Sequence, residues 1–164
     1  MIRRQDMLTF TWRHALLIAL VFGSLVYLLS LDPIPQNTRY HFFADTRRLL
    51  GIPNCVDVLS NLPFLAVGIS GLQICLRREL GNARIAWIIL FVGVGLVSVG
   101  SSYYHWHPTN RTLVWDRLPM TVVFMGLFVA LLCEYVDKRF VRLLLFPALA
   151  LGIASVLYWY WTDD

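Results

Sequence analysis

Charge is what this sequence has least of. Only 15% of its 164 residues are Asp, Glu, Lys or Arg, against about 25% in ordinary soluble domains. Hydrophobic residues make up 58%, and the mean hydropathy is +0.63. A water-surrounded domain is excluded on these figures, and the length corresponds to one domain. The net charge of +4 does not point to nucleic acid, because the arginines stand at the ends of apolar runs rather than in a basic stretch. Cysteine is also scarce. Cys55, Cys75 and Cys133 are an odd number, lie in apolar surroundings and have no C-x-x-C spacing. That excludes a disulfide framework or a zinc knuckle and leaves three small buried apolar side chains.

What is present is a series of long apolar runs, each near the ~20 residues that cross a bilayer. They predict spanning helices over 14–31, 55–76, 85–106, 112–135 and 141–161. The fold class is therefore all-α, a polytopic transmembrane bundle of about five helices in a single membrane domain, 1–164. The run 14–31 is longer than a signal-peptide core and no A-x-A site follows it, so it reads as a retained leading helix. Between it and the next run, residues 32–54 form a loop with turn residues (Asp32, Pro33, Pro35, Gln36, Asn37) and a short helical section near Phe42–Leu50. Pro63 is expected to kink the second span, and the amide of Asn61 to find a partner inside the bundle. Gly68 and Gly71 allow close helix approach.

Arginine placement sets the topology. The N-terminal segment with Arg3, Arg4 and Arg13, the Arg77–Arg84 loop and the Asp137–Arg142 loop each carry about +2, while the chain closes on Asp163–Asp164. The positive-inside rule then places the N-terminus in the cytoplasm and the C-terminus outside. The aromatics Tyr103, Tyr104, Trp106 and Tyr158–Trp161 are expected to form a belt at the outer interface.

The stretch Gly100–Met120, GSSYYHWHPTNRTLVWDRLPM, joins two spans as a hairpin. Ser101 and His105 are four apart and share one helix face. Pro108, Thr109 and Asn110 make the turn. Asp116 lies about a turn and a half into the returning helix, level with His105. Polar and ionisable groups at one depth in a membrane protein are functional candidates. On spacing alone, a His–Asp hydrogen bond gluing two helices is the better account of them.

The pattern Ser101-x-x-x-His105, Asp116 eleven residues on, then Leu118-Pro119-Met120, with Ser60-Asn61-Leu62 one helix earlier, resembles the alkaline ceramidases. These belong to a wider group of seven-helix membrane hydrolases that includes the adiponectin and progestin receptors. The resemblance covers about 45–164, with 14–31 as an extra leading helix. It implies zinc-dependent hydrolysis of a lipid amide, with His105 as zinc ligand, Asp116 beside the metal-bound water and Ser101 as hydrogen-bond donor. The family completes its zinc site with a His-x-x-x-His pair in its last helix. This chain has only His14, His41, His105 and His107. His41 and His107 are the substitute ligands on the same side, whereas His14 belongs to the other face. Eukaryotic members also carry calcium, for which the corresponding residues here are Asp45, Asn54 and Asp57, with Asn54 where a glutamate is expected. Asp45 has a second reading as the partner of Arg47 or Arg48.

The expectation is an integral membrane hydrolase of the alkaline ceramidase type in an incomplete or shortened form. Its partners are the bilayer and a membrane lipid as substrate, with a partner subunit or a C-terminal segment completing the site. The alternative is a non-catalytic partner or lipid-binding protein on the same scaffold.

Overall fold

The computed structural model describes residues 11–32 and 34–162. Arg3 and Arg4, Pro33 and Asp163–Asp164 lie outside the described residues. The described residues form six α-helices in order: α1 Trp12–Leu29, α2 Cys55–Leu59, α3 Leu62–Arg77, α4 Arg84–Trp106, α5 Asn110–Tyr135 and α6 Phe140–Thr162. No strand occurs among the described residues, which show only a lone bridge between Leu49 and Ile52. Among the described residues five spans, with α2 and α3 forming one, are long and apolar enough to cross a membrane. The chain divides into two compact units, 1–33 and 34–164.

The first unit is α1. Thr11 stands at its start, with its hydroxyl 2.8 Å from His14 Nδ1. Most of its side chains are exposed, including Phe22 and Leu29.

The second unit is a bundle in which α3 packs on α4, α4 on α5 and α5 on α6, with α2 against α4. Glycine sets how close the backbones come. A Cβ on Gly68 would lie 2.6 Å from the Gly95 nitrogen, and one on Gly126 3.0 Å from that of Leu90. Small residues of this kind allow helices to pack where lipid supplies no hydrophobic drive between them. Two buried clusters mark the two ends. Ala86, Val129, Ala130, Cys133, Val141 and Leu145 fill one. Tyr104, Leu113, Val114, Val156 and Trp159 fill the other.

The kink expected at Pro63 is a complete break. α2 stops at Leu59 and α3 starts at Leu62, with Pro63 in its first turn, where a missing N–H costs nothing. The loose carbonyls at the break are covered. Asn61 Nδ2 donates to Asp57 O at 2.9 Å, and the Ser102 hydroxyl of α4 donates to Val58 O at 3.1 Å. Asn61 itself is buried. The short helical section of the 34–54 loop is a 3-10 turn at Thr38–His41, not a helix near Phe42–Leu50. Asn37 opens it by accepting from Arg39 N at 2.9 Å, the local bond that favours a turn over a longer helix. The aromatic belt also needs correction. Tyr103 and Trp106 are exposed, but Tyr104 is only 1% exposed and belongs, with the buried Trp159, to the core.

Candidate active site

The α4–α5 hairpin is closed by a reciprocal cap. Thr109 has extended backbone, its hydroxyl accepts from Thr112 N, and the Thr112 hydroxyl accepts from Thr109 N at 3.1 Å. The Thr112 hydroxyl also bonds the His107 carbonyl. This satisfies donors that every helix start leaves open, so Asn110 belongs to the first turn of α5 rather than to a free turn.

Just inside the hairpin the two backbones come into contact. A Cβ on Gly100 would lie 2.0 Å from the Trp115 carbonyl oxygen. Pro119 contributes to this approach. It stands four residues after Trp115 and has no N–H, so the Trp115 carbonyl lacks its intrahelical donor. Gly100 precedes Ser101 and Trp115 precedes Asp116, so this contact brings the two polar residues together. Ser101 is buried there and Asp116 half-buried, and Ser101, His105 and Arg117 all act on the Asp116 carboxylate. The Nδ1 atom of His105 is buried and has no hydrogen-bond partner. Asn54, in the left-handed conformation at φ 47°, donates from Nδ2 to the His105 carbonyl oxygen at 2.8 Å.

His41 and His107 are placed differently. Both ring nitrogens of His41 are engaged, Nδ1 with Tyr104 Oη at 2.9 Å and Nε2 with Asn110 Oδ1 at 2.7 Å. His107 is exposed, with its ring near those of Tyr103 and Trp106. Among the described residues no group of three or more His, Cys, Asp or Glu side chains comes together to hold a metal ion. A catalytic zinc takes three protein ligands. At the hairpin the described residues bring His105 and Asp116 together without a third ligand of these types, so they do not make a complete zinc centre.

Of the calcium candidates, Asp45 and Asn54 make side-chain bonds of their own. The Asp45 carboxylate pairs with Arg47 and accepts from Val56 N at 2.9 Å, at the start of α2. The Arg47 hydrogen bond, aided by the Val56 and Arg47 backbone N–H groups, holds the Asp45 carboxyl below its ordinary value. Asn54 is committed to His105, and the carbonyl of Asp57 accepts from Ser60 and Asn61.

Four contributors to this end of the bundle escaped the motif. Phe43 packs on His105 with ring centroids 4.5 Å apart. Tyr104 lies beneath His41, and Asn110 holds its other nitrogen. Arg117 donates to Gln36 Oε1 at 2.7 Å while its guanidinium sits 3.9 Å over the Trp159 ring. In the sequence Tyr104 and Asn110 read only as an interface aromatic and a turn residue, and Phe43 and Arg117 carried no signal of their own.

An all-helical bundle with spans of membrane length and a Ser, a His and an Asp gathered at one helix hairpin defines a class of polytopic helical proteins with a polar centre. Comparison with known proteins narrows it. The family model described as Ceramidase matches residues 51–164, and the chain belongs to that family. The match supports a ceramidase-like hydrolase at family level, with a lipid as the implied substrate. No curated protein and no solved structure matches the chain.

Proposed function

We propose that the protein is an integral membrane hydrolase that cleaves the amide bond of a lipid at Ser101, His105 and Asp116. The observation that carries this reading is the meeting of Ser101 and Asp116 where Gly100 contacts Trp115, with His105 one turn further on. In the reaction, water attacks the amide carbonyl carbon and Asp116 takes its proton. The Ser101 hydroxyl donates to the oxyanion that develops. The C–N bond then breaks, the nitrogen leaves with the proton, and the products are a carboxylic acid and an amine. A positioned base contributes about 10²–10⁴-fold and one oxyanion donor about 10²–10³-fold.

The charge bias supports an orientation with the N-terminus in the cytoplasm and the hairpin near the outer face. Five spans support the same parity.

A second reading, a non-catalytic lipid-binding or partner protein, is favoured by the absence of a three-ligand metal group among the described residues. Membranes carrying the product of the full natural reading frame separate the two. On the hydrolase reading they release fatty acid from N-acyl lipids, and Ser101→Ala and His105→Ala remove the activity. Binding of the same lipids with no release, in wild type and variants alike, establishes the second reading.

A further inference from the structure

Histidines that ligate metals or move protons are normally fixed by a hydrogen bond to their other ring nitrogen. His105 has no such bond at Nδ1, although that atom is buried. Something else must hold the ring, and aromatic contacts surround it. The Phe43 ring packs at 4.5 Å with a 41° tilt, and the Tyr104 ring lies at 5.2 Å and 58°. Phe43 and Tyr104 in turn meet edge to face at 5.6 Å and 88°, the arrangement aromatic pairs prefer.

Tyr104 is itself locked. Asn110 Oδ1 can only accept, so His41 Nε2 carries the proton of that bond at 2.7 Å. Neutral His41 then accepts at Nδ1 from the Tyr104 hydroxyl at 2.9 Å. His41 thus ties the end of α4 to the start of α5, across the mouth of the hairpin. The segment that carries His41 and Phe43 is anchored on both sides of them. Gln36 accepts from Arg117, and the Asp45 carboxylate accepts from Val56 N.

We propose that Phe43 and His41, from the segment outside the helices, are positioning residues for His105: Phe43 holds the imidazole by ring packing in place of a hydrogen bond, and His41 fixes the Tyr104 wall behind it. The catalytic consequence rests on the hydrolase reading above, whereas the positioning itself does not.

The test reads the ring directly. The full chain, labelled at histidine, is studied by NMR in detergent micelles, and the His105 ring signals are assigned with His105→Asn. In the wild type they form a single set displaced by the ring current of Phe43. Phe43→Leu shifts and broadens them, and Phe43→Tyr, which keeps a ring, restores them. His41→Gln moves them in the same sense as Phe43→Leu, and serves if Phe43→Leu does not fold. His105 signals that stay in place in Phe43→Leu or His41→Gln, whichever is folded, overturn the proposal. In the product of the full natural reading frame, Phe43→Leu lowers kcat about tenfold, the scale of a small misplacement of a reacting group, with KM little changed. No hydrolysis by the wild type there contradicts the hydrolase reading, while the ring signals still decide the positioning.

Discussion

Replacing Gly100 by alanine tests the hairpin geometry at its tightest point. The added Cβ would stand 2.0 Å from the Trp115 carbonyl oxygen and 2.9 Å from its carbon, and real Cβ contacts essentially never fall below 3.0 Å. Nothing flexible can give way, since the obstacle is backbone. The helices must part by about 1 Å at the step next to Ser101 and Asp116. Overpacking of this kind costs about 1–3 kcal/mol, and a 1 Å displacement of reacting groups can cost about 10²-fold in rate. Gly95→Ala is the matched control, because its Cβ would meet nothing within 4 Å and alanine is the better helix former by about 1 kcal/mol. Unfolding by SDS titration in mixed micelles reads the stability, and fatty-acid release reads the site. Gly100→Ala should lose both and Gly95→Ala neither. A Gly100→Ala protein as stable and as active as the wild type would refute the claimed contact and its role in joining Ser101 to Asp116.

Metal analysis should find that the 164-residue chain alone holds zinc weakly, since no group of three His, Cys, Asp or Glu side chains comes together among its described residues; His105→Ala should remove even that, and Asp116→Asn should leave it. Reporter fusions at Arg78 and Pro108 should report opposite sides of the membrane, with Arg78 cytoplasmic, and the same side for both rejects the topology. The Asp45 tie to Arg47 and Val56 should depend on pH. The folded carboxyl titrates below its ordinary value of 3.8, so the stabilisation is full above that value and is lost as pH falls through the depressed one. Hydrogen exchange at Val56 N should quicken over that acid range, and Asp45→Asn should abolish the pH dependence.

The spans were legible because hydropathy over some twenty residues leaves few alternatives. Pro63 was legible as a disturbance but not as a clean break, which depends on Asn61 and on Ser102 from another helix to cover the exposed carbonyls. Helical spacing put Ser101 and His105 on one face, and counting across the hairpin placed Asp116 near their level. The aromatic support of His105 was not legible. Residues 34–54 show no periodicity, and their partners are remote in the chain, with His41 bonding Tyr104 and Asn110. Tyr104 read as an interface aromatic because its type suits a membrane belt. Only the packing against Phe43 and Val156 shows it to be core.

Hydrolysis in water enriched in oxygen-18 addresses the central claim most directly. An N-acyl lipid is incubated with membranes carrying the product of the full natural reading frame, and the released fatty acid is weighed by mass spectrometry. The account predicts one heavy oxygen in the new carboxylate, and a rate reduced about 10²–10⁴-fold in Asp116→Asn. Fatty acid released at an unchanged rate by Asp116→Asn, or without the heavy oxygen, would contradict it.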